Sequence, residues 1–222
     1  STVSVNTTAG FSIVTYTGTG SAATVGHGLG VAPSMYIVKC RSNAGTEWPV
    51  YHVSMGATKA MNLDATAAAI TYNLFWNNTA PTSTVFSIGS VGADTNINGA
   101  TFVAYCFAQI AGFSKFGSYT GNGSADGPFV YLGFRPKWIL LKPSSTLAEW
   151  TLWDTSRDTY NVADRRLVPN DSAAEYNNGN GLIDLLSNGF KPRINHPSNN
   201  SSGVTYIYAC FAENPFKNAL AR

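Results

Sequence analysis

Short apolar runs, broken by clusters of Gly, Ser, Asn and Pro, recur along this chain and predict strands. Met35-Tyr36-Ile37-Val38-Lys39 and Lys137-Trp138-Ile139-Leu140-Leu141-Lys142 are rich in β-favouring residues. Each is introduced by a proline, Pro33 or Pro136, which pre-sets an extended entry. Residues 102–107 and 206–211 are apolar at nearly every position, the pattern of strands covered on both faces. Turns are predicted at Gly18-Thr19-Gly20, at Asn122-Gly123-Ser124, at residues 177–181 and at residues 197–203. Helical periodicity is confined to the Ala-rich residues 57–69. There one or two turns compete with Thr58, Thr66 and the following Thr71, which favour strand or loop.

The pattern occurs twice. Gly10-Phe11-Ser12 returns as Gly112-Phe113-Ser114, and Tyr16-Thr17-Gly18-Thr19-Gly20-Ser21-Ala22 as Tyr119-Thr120-Gly121-Asn122-Gly123-Ser124-Ala125. Leu29-Gly30, Pro33 and Lys39 match Leu132-Gly133, Pro136 and Lys142, and Glu47-Trp48 matches Glu149-Trp150. Thr101-Phe102-Val103-Ala104-Tyr105-Cys106-Phe107-Ala108 matches Thr205-Tyr206-Ile207-Tyr208-Ala209-Cys210-Phe211-Ala212. The offset drifts only from 102 to 104, as small loop insertions would produce. The expectation is an all-β chain of two related β-sandwich units from an internal duplication, residues 1–109 and 110–222. These are either successive sandwiches or sheets interleaved in one larger sandwich. Gln109-Ile110-Ala111-Gly112 is too short and apolar for a free tether, so closely packed units are expected.

Composition narrows the class. Only 12% of the 222 residues are charged, against roughly a quarter in an ordinary soluble domain. Solubility then rests on Ser, Thr and Asn, as in extracellular or virion β proteins. The 14 basic and 12 acidic residues are scattered, with Arg165-Arg166 the densest basic spot, so no nucleic-acid partner is expected. No apolar run approaches the about 18 residues of a membrane span, and the start lacks the regions of a signal peptide, so no membrane insertion is expected. Ser1 stands where a Met would begin a nascent chain, leaving processing or excerpting open. Cys40, Cys106 and Cys210 are an odd set without a CxxC pair, and a reduced, buried role is expected.

The residues that carry chemistry argue against an enzyme. No G-x-S-x-G elbow is present, and the three histidines lack the spacing of a metal site. Gly26-His27-Gly28-Leu29-Gly30 looks like a phosphate cradle, but no Lys or helix follows it, so it reads as a turn. Glu149, Asp154 and Asp158 are the densest acids, yet the first repeat does not reproduce them as a glycosidase pair. No catalytic residue, cofactor or metal is expected. For binding, the candidates are Trp48, Tyr51 and His52, with Trp150, Trp153 and Asp154 as their counterparts. Aromatic faces beside hydrogen-bonding groups can stack on sugar rings. The odd spacing within each pair sends at least one ring of it to the core, so core and ligand roles both stay open.

Gly117-Ser118-Tyr119-Thr120-Gly121-Asn122-Gly123-Ser124-Ala125-Asp126-Gly127, Gly133-Phe134-Arg135-Pro136-Lys137, Leu186-Ser187-Asn188-Gly189-Phe190-Lys191 and residues 206–217 resemble a repeat of tailed-bacteriophage structural proteins, especially tail and fibre proteins of marine phages. Residues 26–33 and 48–52 look like the same family, and Ala219-Leu220-Ala221-Arg222 like the natural end of such proteins. The resemblance implies a jelly-roll or lectin-like virion module, more in the tail than in the capsid. It also implies a homo-oligomer among other virion proteins, with host cell-surface glycan as the contact of a receptor-binding role. A capsid decoration protein or tail adaptor is the alternative. The resemblance supplies no defined ligand residues.

Overall fold

Both proline-led runs become central strands of antiparallel sheets. The computed structural model describes residues 1–90 and 94–213; the closing Ala219-Leu220-Ala221-Arg222 lies outside them. The described chain is all-β, without a helix. It divides into two compact units, one of Ser1–Asp64 and Ala69–Gln109, the other of Ala65–Ala68 and Ile110–Arg222.

The first unit contains β1 (Thr2–Asn6), β2 (Phe11–Thr17), β3 (Ala23–Gly26), β4 (Met35–Cys40), β5 (Pro49–His52), β6 (Lys59–Asn62), β7 (Ile70–Thr71), β8 (Val85–Ile88) and β9 (Thr101–Phe107). Seven of these form one sheet in the order β1-β2-β9-β4-β5-β6-β7, and β3 pairs with β8 in a second. The side-chain alternation of β2 and β9 sends Val14, Tyr16, Phe102, Ala104 and Cys106 to one face, where Val25, Phe86 and Ile88 of the small sheet meet them in a single apolar cluster. Tyr36, Trp76, Phe86 and Phe102 are fully buried there, each side chain worth about 1.5–3 kcal/mol of transfer free energy. This is a β-sandwich-like arrangement.

The second unit contains β10 (Ser114–Thr120), β11 (Val130–Tyr131), β12 (Pro136–Pro143), β13 (Thr151–Asp154), β14 (Ile183–Leu186), β15 (Gly189–Pro192) and β16 (Thr205–Ala212). Its sheets run β10-β16-β12-β13 and β11-β15-β14. The order β2-β9-β4-β5 of the first unit is thus matched by β10-β16-β12-β13, and the pair β3–β8 by β11–β15. Lys142, on β12, is wholly buried, and its Nζ donates to the carbonyls of Thr66 and Pro143, both at 3.0 Å. Burial lowers its pKa from 10.5 to about 8.

The recurring Tyr-Thr-Gly-x-Gly-Ser segments fall at matching places and are held alike. Tyr16 stacks on Phe102 at 5.0 Å and donates its hydroxyl to the Thr95 carbonyl; Tyr119 stacks on Tyr206 at 5.1 Å and donates to the Asn199 carbonyl. A Cβ on Gly18 would meet the Ile97 carbonyl oxygen at 2.2 Å, and one on Gly121 the Ser201 oxygen at 2.3 Å, so only glycine lets these backbones approach.

The Ala-rich residues 57–69 form no helical turn. Residues 59–62 are β6, whose Val50↔Met61 pairing with β5 buries Met61 while neighbouring Ala60 enters the apolar cluster, a two-sided burial that suits a strand. All three cysteines are free and buried, and burial pushes the Cys106 thiol up to about 12.

Candidate functional site: an exposed aromatic face on the small sheet

Four of the six residues singled out by sequence lie inside the protein. Tyr51 is buried, stacked on Tyr36 at 4.5 Å. His52 is buried next to it on β5, its Nδ1 accepting the Ser54 N–H at 3.2 Å. Trp153 is wholly buried and donates from its indole nitrogen to the Gly181 carbonyl at 2.9 Å. Trp150 is buried, its backbone N–H donating to Asn170 at 2.8 Å. Trp48 is half-buried under the Lys39 ammonium, which sits 5.3 Å from its ring centroid. Asp154 spends its carboxylate within the chain: it accepts the Ser156 and Arg157 N–H groups at 2.9 Å and pairs with the Arg157 guanidinium at 2.5 Å. Its carboxyl is held below the usual range by those Arg157 and Ser156 bonds, which outweigh its burial. The six therefore present no common face to a ligand.

An exposed aromatic face exists elsewhere, on the small sheet of the second unit. In β11 and β15, Val130 lies opposite Phe190, and Leu185 of β14 lies opposite Phe190 in turn. These three point into the core. Alternation then sends Phe129 and Tyr131, on either side of Val130, outward, where they are 47% and 59% exposed. Rings left this open to water gain little for folding.

The surroundings of the two rings are built. Gly189 is the partner of Tyr131, and a Cβ there would meet the Val130 carbonyl oxygen at 2.1 Å and the Phe129 ring at 3.0 Å. Glycine at this place lets the Phe129 ring lie against the sheet. Lys115 reaches in from β10, donating to the Tyr131 carbonyl at 2.8 Å with its ammonium 5.1 Å from the ring centroid. On the same outward row as Lys191 stands its partner Asp184. Lys191 pairs with Asp126 at 2.5 Å, and Arg193 bridges Asp126 at 3.6 Å and Asp184 at 3.4 Å. Asp126 keeps a side chain 79% exposed, and the Lys191 ammonium, aided by Arg193, holds its carboxyl below the ordinary range. Two flat apolar rings thus stand in the same small sheet as a charged rim in which Asp126 is exposed and Lys191, Asp184 and Arg193 are partly covered. Such a face can stack on the C–H side of a pyranose while its rim exchanges hydrogen bonds with the hydroxyls.

The first unit lacks this face. Its small sheet sets Val25 opposite Phe86, as Val130 lies opposite Phe190, so the places of Phe129 and Tyr131 fall to Thr24 and Gly26. The inward pair is alike in the two units and the outward pair is not. In the sequence, Phe129-Val130-Tyr131 is an unbroken apolar run after Gly127-Pro128, with no polar alternation to mark which side chains face out. The match of Leu29 with Leu132 hid them by aligning β11 out of its pairing register.

Residues 1–215 match the model of the family described as Domain of unknown function (DUF7483). The chain belongs to that family. No curated protein and no solved structure matches it. Among the described residues of this DUF7483 chain, no group of three His, Cys, Asp or Glu side chains is placed to hold a metal ion, and no helix is long and apolar enough to cross a membrane.

Proposed function

We propose that this chain is a glycan-contacting structural module of a phage virion, of the tail-fibre or receptor-binding type, acting by binding rather than catalysis. In this reading its two units are jelly-roll, lectin-like sandwiches descended from one ancestral copy. The observation that carries the reading is the pair of outward rings, Phe129 and Tyr131, beside the charged rim of Lys191, Asp126 and Arg193. The resemblance of residues 117–127 and 186–191 to phage tail repeats supplies the virion context, and the low charge suits a protein that works outside a cell.

The test is titration of the purified protein with neutral hexose oligosaccharides of different linkage, alongside the double variant Phe129→Ala/Tyr131→Ala. Each stacked ring is worth about 1 kcal/mol, so the variant loses about tenfold or more in affinity while its unfolding midpoint stays close to that of the parent. Equal binding by parent and variant would remove the site. No glycan binding, together with antibody label over the capsid lattice of the intact particle, would replace this reading with a decoration or adaptor role in which the rings make subunit contacts.

A further inference from the structure

We infer that the first unit carries a second binding site, independent of the aromatic face, for a sugar unit bearing an oxyanion. The site is a cleft of about 310 Å³ at the end of the large sheet, within the size range of small-ligand pockets. Its walls include Thr2, Thr15, Thr17, Thr101, Arg41 and Phe102.

The strand register explains why so many hydroxyls converge there. Thr2 lies opposite Thr15 and Thr17 opposite Thr101, while Thr15 and Thr17, two apart on β2, share a face. Arg41 continues β4, its N–H donating to the Thr101 carbonyl at 2.7 Å, which sets it beside the Thr17–Thr101 pair. None of these four hydroxyls, nor the Arg41 guanidinium, has a side-chain partner among the described residues. The other arginines among the described residues are paired: Arg135, Arg157, Arg165, Arg166 and Arg193 each sit within 4 Å of a carboxylate. No Asp or Glu lines the cleft.

An uncompensated guanidinium offers a planar fork of donors that fits a carboxylate or phosphate edge-on. Threonine hydroxyls both donate and accept, which suits the hydroxyls of a sugar and not a bare inorganic anion. Together these favour an acidic sugar, with the charge at Arg41 and the ring along the threonines.

Isothermal titration with three probes tests this: trigalacturonate, its methyl ester, which keeps the rings but loses the charge, and glucose 6-phosphate. Trigalacturonate or glucose 6-phosphate should bind about tenfold or more tightly than the methyl ester, and whichever is the tighter identifies the oxyanion. Arg41→Ala should lose about tenfold for the bound acid, and Thr17→Val/Thr101→Val several-fold, with unfolding midpoints near that of the parent. Phe129→Ala/Tyr131→Ala should leave these affinities unchanged, so failure of the aromatic face and failure of this cleft are read separately. Equal binding of acid and ester, undiminished binding by Arg41→Ala, or no binding of either acid would each overturn the inference.

Discussion

Asn96 and Asn200 perform the same task in separate units. Each is wholly buried and donates from Nδ2 to a serine carbonyl, Ser21 at 2.7 Å and Ser124 at 2.6 Å. Each also accepts, through Oδ1, the backbone N–H of the glycine-rich turn it clasps, from Thr19 at 2.7 Å and Asn122 at 3.0 Å. Asn96 adds a second donation, to Gly89 at 2.6 Å. Replacing Asn96 or Asn200 by Ala removes these bonds to the part-buried backbone of the turn, at a cost of about 2 kcal/mol. Urea unfolding of the two variants measures it, and a loss below about 1 kcal/mol would mean that water takes over the clasp.

Gly189→Ala should damage the fold and the aromatic face together. The added methyl collides with the Val130 carbonyl oxygen and the Phe129 ring, so the β11–β15 pair must separate or the ring must leave. A loss of about 1–3 kcal/mol is expected from overpacking. The near-ultraviolet spectrum, sensitive to ring environment, should change with it. A variant as stable as the parent would show that β11 yields freely at this edge.

Lys142 makes stability depend on alkaline pH. Its folded pKa of about 8 lies below the 10.5 of the free side chain. Between those values the unfolded chain holds the extra proton, so stability from this group rises with pH across that window. Cys106 and Cys210, whose thiols are raised by burial, act in the opposite sense above their ordinary value of 9.0. The clean measurement is therefore the difference between parent and Lys142→Met, which should grow in favour of the parent from pH 8 to 10.5. A difference independent of pH would place the Lys142 ammonium in water.

His27 sets the acid side. It is wholly buried; Nδ1 accepts the Leu29 N–H at 3.2 Å and Nε2 lies 3.1 Å from the Thr82 carbonyl, so the neutral ring with its proton on Nε2 satisfies both. Burial lowers its pKa below 6.5. As pH falls through 6.5 the unfolded chain takes up a proton that the folded chain refuses, and stability is lost. His196, also lowered by burial and by Arg166, adds to the same decline. His27→Gln should be less stable at pH 7 and show a shallower decline toward pH 5 in denaturant midpoints. An unchanged slope would exclude His27 as its source.

Strands were the legible part of this chain because burial writes itself into side-chain type. The run at residues 35–39 is β4, that at 137–142 lies in β12, and the nearly unbroken apolar runs 102–107 and 206–211 lie in β9 and β16. The paired tryptophans show the limit of the same logic. Large aromatic type alone does not separate a ring that completes a core, as Trp153 does, from one that faces water, as Tyr131 does. The clasps of Asn96 and Asn200 were hidden for another reason. They act through side-chain bonds to turns about 75 residues away, which no local hydrophobic period reports. Their only trace was the recurrence of Asn-x-x-Gly at Asn96–Gly99 and Asn200–Gly203.

The small sheet of the second unit divides its labour by side. Val130, Phe190, Leu185 and Ile183 close the interior, while on the other side the tightest demand is that of the Phe129 ring on Gly189. Rings on such a surface come as a set with the glycine beneath them, while the inward residues stay alike in both units. Carrying the two rings over to Thr24 and Gly26 by design would therefore also call for glycine in place of Val85, which stands where Gly189 does.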